Sequence, residues 1–221
     1  MEFTLSHTEE NYLKTIYGLE HINDLNVSTT LIAKKIKTKA SSVTDMIKKL
    51  ADKGLINHEK YKGVSLTVEG KIIAVKIVRK HRLWEVFLVN KLNYNWDEVH
   101  EIAEQLEHIK SNSLIDKLEE FLGFPEFDPH GDPIPDSKGT IKHHKNVMLS
   151  SLEKNMSCVV IGVKDSTSAF LKFLDNANIK LGSILKVISI EEFDNSMLIE
   201  NEEVNSSISN QISKNLFVKK L

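Results

Sequence analysis

The chain has 221 residues, 41% hydrophobic and 27% charged, with a formal net charge of -2. This is the composition of an ordinary soluble globular protein with room for two or three modules, each with its own core. The single cysteine, Cys158, excludes an intramolecular disulfide and a Cys-based zinc ribbon. No segment approaches the length needed to span a bilayer, and no apolar run follows a basic start, so no membrane role and a cytoplasmic location are expected.

Charge is unevenly distributed. Residues 34–62 carry nine lysines against three acids, a local net of +6; residues 97–128 carry ten acids against two lysines, a net of -8. A basic block ahead of an acidic one suggests contact with a polyanion in the first and with a cation in the second.

In chain order, residues 7–22 read as an amphipathic helix, with Tyr12, Leu13, Ile16, Tyr17 and Leu19 at helical spacing. Ser28 has the chemistry of an N-cap for a short helix over 29–36. A third helix runs from Ala40 to Lys53, with Val43, Met46, Ile47 and Leu50 on one face and Gly54 as its stop. Residues 55–67 read as two short strands around a turn. This order predicts a winged helix-turn-helix. The outward face of the third helix (Lys39, Ser41, Ser42, Thr44, Asp45, Lys48 and Lys49) and the wing tip (Tyr61 and Lys62) would meet double-stranded DNA. Hydroxyls at the helix start can approach bases, and lysines neutralise phosphate. A solvated basic helix is the alternative for the lysines alone.

From Val68 to about Lys91 a long helix is apolar around much of its circumference, as at a subunit interface. Helices near 96–110 and 113–122 follow. Residues 123–135 hold all four prolines and read as a turn-rich, extended linker. Beyond residue 145, strands over 158–163, 183–190, 197–200 and 216–219, with a helix over 168–176, predict a small SH3-like β-barrel; Cys158 falls in the first of these strands.

Glu104, Glu107 and His108 recur at spacings that share a helix face. Two carboxylates and an imidazole so placed suit a first-row divalent cation. Upstream, His81 and Glu85 form a second pair four residues apart, and His100 lies one turn before Glu104. Each pair alone would pass as a solvated helix face; together they point to metal.

Asn11 to Tyr17, Ser41 to Thr44, Lys48 to Leu50, Arg79 to Glu85, Val99-His100, Glu104 to His108 and Gly131 to Pro135 resemble, in this order, the DtxR/MntR family of metal-dependent transcriptional repressors. The C-terminal segment resembles the family's SH3-like or FeoA-like domain, with Ile179 to Ser183 as its landmark. The resemblance implies a homodimer that binds palindromic operator DNA when loaded with Mn(II) or Fe(II), two ions per monomer, and controls metal-homeostasis genes. Its primary metal site would use Glu104, Glu107, His108 and the first-helix position Asn11, where neighbouring Glu10 is an alternative. Its ancillary site would use His81, Glu85, His100 and Asp165, with Ser168 nearby. An all-oxygen-and-nitrogen shell favours Mn(II) over Fe(II).

The expected fold is therefore mainly α with a small β part. Residues 1–67 form the winged helix-turn-helix, 68–125 a helical metal-binding and dimerisation domain, 126–147 a linker and 148–221 the SH3-like domain. Two rival functions stand beside the metal-dependent repressor. One is a metal-independent winged-helix regulator. The other is a helical metalloenzyme such as a di-iron carboxylate bundle, which is disfavoured because Gln105, three before His108, stands where a Glu-x-x-His motif would need Glu, and no duplicated motif appears.

Overall fold

The computed structural model describes residues 4–23, 27–59, 63–141, 147–202 and 204–221. It divides into two compact units. The first comprises residues 1–81, 104–116 and 135–140, and the second residues 82–103, 117–134 and 141–221.

In the first unit, helix α1 spans His7–Asn23. Its start is a reciprocal capping box: the Ser6 amide donates to Glu9 Oε2 at 2.8 Å and the Glu9 amide to Ser6 Oγ at 3.3 Å. Helix α2 (Thr29–Ile36) begins at Ser28, whose hydroxyl accepts from the Leu31 amide, and ends at Lys37 in the left-handed region. Helix α3 spans Ala40–Asp52, followed by Gly54 at φ +70°. Strands β1 (Ile56–Glu59) and β2 (Gly63–Leu66) pair antiparallel, with Ile56 opposite Leu66. The hairpin tip, including Tyr61 and Lys62, lies outside the described residues. Leu13, Ile16, Ile32, Val43, Ile47, Leu50, Leu55 and Val64 are fully buried and form the core of this helix-turn-helix with its hairpin.

Helix α4 runs from Val68 to Leu92. Gly70 near its start allows a close approach: a Cβ there would lie 1.9 Å from the Leu55 carbonyl oxygen. Helices α5 (Val99–Leu106) and α6 (Asn112–Phe121) follow. Helix α5 is shorter than its sequence pattern suggests. Glu107 and His108 fall in the turn after it, where the Ile109 amide closes onto the Leu106 carbonyl.

The proline-rich segment read as an extended linker is a closed turn within the second unit. Asp128 Oδ1 accepts from the amides of His130 and Asp132, at 2.8 and 3.0 Å, which satisfies buried backbone donors that water would serve in a free linker. Gly131 has φ +86°, and a Cβ on it would lie 2.2 Å from Gly162 Cα. The turn therefore packs backbone to backbone, and the Val163 amide donates to the His130 carbonyl at 2.8 Å.

The C-terminal segment forms a six-stranded antiparallel sheet, the SH3-like domain expected from the strand pattern. Its strands are β3 (Val147–Met148), β4 (Ser157–Val163), β5 (Ile184–Ile190), β6 (Met197–Asn201), β7 (Val204–Ile208) and β8 (Leu216–Lys220), in the order β3-β8-β4-β5-β6-β7. Helix α7 (Ser168–Asn176) and the short α8 (Asn210–Ser213) complete it. The core gathers Cys158, Val160, Leu171, Leu174, Leu185, Val187, Ile199, Leu216 and Val218. Strands β3 and β7 escaped the sequence reading. The first has two residues, and the second is an edge strand of Asn and Ser with little apolar alternation.

Candidate metal centres and nucleic-acid face

The residues expected to meet DNA, Lys39, Ser41, Ser42, Thr44, Asp45, Lys48 and Lys49, are all exposed, while Val43, Ile47 and Leu50 face the core. The split follows from helical periodicity, which leaves one polar stripe outward. Helix α3 is tied to α1 by a buried acid. Glu9 is 2% exposed, and its Oε1 lies 2.6 Å from Lys53 Nζ and 3.4 Å from Lys49 Nζ. Burial alone would raise its carboxyl, but the hydrogen bonds from Lys53 and the Ser6 amide, with Lys49 beside them, hold it down at about 2.

Helix α1 places Glu10, Asn11 and Lys14 within one turn of each other. All three meet or neighbour the segment after α5. Glu10 Oε2 lies 2.5 Å from His108 Nδ1, and the His108 ring stacks on His7 at 4.2 Å between centroids. Glu107 is fully buried. Its Oε2 lies 2.7 Å from Lys14 Nζ and 2.6 Å from His81 Nδ1. Glu104 is half-exposed and lies 3.0 Å from the same Lys14 ammonium. Among the described residues, Glu107 Oε1 and Asn11 Oδ1 are buried acceptors with no hydrogen-bond partner. A buried unsatisfied oxygen costs about 1–3 kcal/mol, and the Glu107 and Asn11 oxygens are two that a divalent cation would satisfy. The first-site residues thus come together as two pairs, Glu107 with His81 and His108 with Glu10, with Lys14 bridging Glu104 and Glu107. His81, read from sequence as part of the ancillary set, also faces Glu107.

The second unit holds a more compact group. Glu85, Asp128 and His130 are all buried, and each offers a donor atom within 4.8 Å of the others. Glu85 Oε2 lies 3.6 Å from His130 Nδ1, and Glu85 Oε1 lies 3.4 Å from His100 Nδ1. His81 stands one turn before Glu85 on α4. Burial first, then the negative charges of Glu85 and Asp132, push Asp128 up to about 7, against the opposing pull of Arg82 and His130. Burial would lower His130, but its bond to Glu85, the charge of Asp128 and the Trp96 carbonyl raise it to about 9. His130 Nε2 lies 2.9 Å from the Trp96 carbonyl oxygen. With Nε2 donating there, loss of the Nδ1 proton would turn the Nδ1 lone pair towards the carboxylates, the arrangement metal-binding histidines use. Sequence reasoning missed Asp128 and His130 because they sit in the proline-rich segment, far from Glu85 along the chain. The only local sign was the run Asp128-Pro129-His130-Gly131-Asp132. Asp165 accepts from the Thr167 amide at 2.9 Å ahead of α7, and Ser168 donates to Asp97 at 2.9 Å.

Comparison with known proteins divides the chain into three successive segments. The family model for the N-terminal DNA-binding domain of iron-dependent repressors matches residues 4–64, that for their metal-binding and dimerisation domain residues 67–136, and that for the FeoA domain residues 147–220. A solved manganese-dependent transcriptional repressor in complex with manganese is 34% identical, with a TM-score of 0.85 over 96% of this chain and 100% of that one. The chain belongs to the DtxR-type family of iron-dependent repressors, in the form that carries a C-terminal FeoA domain. Within that family, the iron-dependent repressor IdeR of Mycobacterium leprae is 33% identical over 59% of this chain. An HTH-type transcriptional regulator of Methanocaldococcus jannaschii is 37% identical over 53% of this chain and 94% of its own length. The manganese regulator SloR matches with a TM-score of 0.73 at 33% identity over 96% of this chain and 98% of that one. The chain spans 56% of IdeR and 30% of a probable metal transport system membrane protein of Chlamydia trachomatis, to which it is 34% identical. Among the described residues, no helix is long and apolar enough to cross a membrane.

Proposed function

We propose that this protein is a transcriptional repressor that binds palindromic operator DNA as a homodimer when loaded with Mn(II) or Fe(II), and that it is not an enzyme. The observation that carries the reading is the pair of buried, unpartnered oxygens of Asn11 and Glu107, one on the first helix of the DNA-binding module and the other in the turn after α5. Glu10, Asn11, Glu104, Glu107 and His108 would hold the primary ion, with His81 orienting Glu107. A divalent ion there would supply positive charge to the donors of α1 and of the turn after α5. Glu9 then transmits the position of α1 to α3 through Lys49 and Lys53. Such a coupling is typically worth about 1–3 kcal/mol per linked site, and reciprocity makes operator DNA tighten metal binding by the same factor.

A second ion would be held in the second unit by Glu85, Asp128 and His130, with His100 beside Glu85. His130 must shed its proton to ligate, so uptake there releases a proton. Phe121 and Phe124, 62% and 65% exposed, with Leu92 and Tyr94 half-exposed, supply apolar surface for a second copy of the chain. The recognition face would be Lys39, Ser41, Ser42, Thr44, Asp45, Lys48 and Lys49, joined by the wing residues Tyr61 and Lys62.

Selecting duplexes from a random pool with Mn(II)-loaded protein, then repeating the mobility shift with Mn(II), Fe(II) or EDTA, tests the reading. Palindromic sites bound with metal and released by EDTA are expected. Equal binding in all three would instead support a metal-independent regulator.

A further inference from the structure

We infer that the Lys14 ammonium is a tethered cation that competes with the metal ion for Glu104 and Glu107 and so sets the metal concentration at which the protein responds. The inference rests on the primary site proposed above. Lys14 shares the face of α1 that presents Glu10 and Asn11, at helical spacings of four and three. Its Nζ lies 3.0 Å from Glu104 Oε1 and 2.7 Å from Glu107 Oε2, and its side chain is only 16% exposed. Glu107 is fully buried, so this contact is not a solvent-screened surface pair of small consequence. The same Glu107 oxygen also faces His81 Nδ1 at 2.6 Å. Lys80 is the other lysine that senses Glu10 and Glu107, but it directs its ammonium to the Ile109 carbonyl, 3.4 Å away.

The charges define what the lysine does. Lys14 sets one ammonium against two carboxylates, Glu104 and Glu107, so an ion pair already engages oxygens that a divalent ion would use. A metal ion that takes Glu104 Oε1 and Glu107 Oε2 must take them from this ammonium, and one held by the unpartnered Glu107 Oε1 still shares that carboxylate's charge with it. Each gain in metal–oxygen attraction is thus offset by the loss of an existing ion pair. A neutral residue at position 14 would leave the carboxylates mutually repelled and the site more avid.

The test is a Mn(II) titration, followed by the paramagnetic signal of free Mn(II), on the full chain and on the variants Glu107→Gln, Lys14→Met and Lys14→Arg. Glu107→Gln identifies the primary site by the equivalent it loses. At that site Lys14→Met is expected to bind Mn(II) about tenfold tighter or more, because one partly buried ion pair no longer opposes uptake, and Lys14→Arg no tighter than the wild type. Unchanged or weaker binding in Lys14→Met, with Glu107→Gln still losing its equivalent, overturns the competition while leaving the site reading intact. A Glu107→Gln protein that keeps every equivalent overturns both. Should Lys14→Met fail to fold, the wild type decides. Acetylation of Lys14 by an amine-reactive reagent, read by mass spectrometry, is expected to accelerate several-fold on saturation with Mn(II), and a rate that Mn(II) leaves unchanged overturns the proposal.

Discussion

Two buried carboxylates, one in each unit, are shifted in opposite directions. Glu9 and Asp128 are 2% and 3% exposed, so desolvation acts on both. Glu9 nevertheless sits at about 2 and Asp128 at about 7. The difference lies in the neighbours. Lys49 and Lys53 face Glu9, whereas Glu85 and Asp132 face Asp128, with Arg82 at 3.6 Å giving only partial relief. Glu9 is a completed ion pair that holds two helices together. Asp128 belongs to a buried group of carboxylate and imidazole donors in which like charges crowd one another, the kind of place where a divalent cation is bound. Between these extremes stands the proposed first metal site, where Lys14 lies against Glu104 and Glu107.

Removing a ligand carboxylate should have the largest effect. Glu107→Ala is expected to lower metal-activated DNA affinity at least about 100-fold, at the upper end of what one coupled site supplies, while gel filtration still shows a folded dimer. A variant with the full metal response would place the primary ion elsewhere. Next comes His130→Ala, which should cost one Mn(II) equivalent in the same titration and about tenfold in operator affinity, the smaller loss reflecting an ion remote in sequence from the DNA-binding module. An unchanged stoichiometry would reduce the Glu85, Asp128 and His130 group to a buried polar network.

The acid pair gives two melts of opposite sign, measured with chelator present. At pH 7 Glu9→Gln should destabilise the protein by about 1–2 kcal/mol, less than a fully buried pair because both lysines keep some solvent contact. Because the Glu9 carboxyl is depressed, that stability is present above its unfolded value near 4.5 and is lost as pH falls towards 2, so the variant and wild type should converge there. Asp128 is raised, so its contribution is full below the unfolded value near 3.8 and is lost as pH rises through about 7. Asp128→Asn keeps an oxygen for the His130 and Asp132 amides, and it should raise the melting temperature at pH 8 by about 1 kcal/mol equivalent, with no gain at pH 4. Melts that shift in the same direction for both variants would dissolve the contrast.

Much of the first unit was legible because its information is periodic and local. The Ser28 cap, the apolar stripe of Val43, Ile47 and Leu50, and Gly54 after α3 each act within one or two turns of helix. The pairing of His108 with Glu10 was only half visible. Glu10 was one of two possible donors, and nothing in the spacing of α1 indicates which of Glu10 and Asn11 turns towards a histidine 98 positions away. Helix α5 also ends earlier than its pattern suggests, which moves Glu107 and His108 off a shared helix face and into a turn.

The sequence by itself determined the kinds of element and their order, the basic face of α3 and the two sets of His and Glu residues, because side-chain period and motif spacing encode them directly. Only the tertiary structure decided which donors meet. It closed the proline-rich segment into a turn through the Asp128 side chain and the Gly131–Gly162 contact, which delivered His130 and Asp128 to Glu85. It also set Lys14 between Glu104 and Glu107. Contacts of this kind depend on chain segments far apart in sequence packing to within a few ångströms, and on the charge each finds when it arrives.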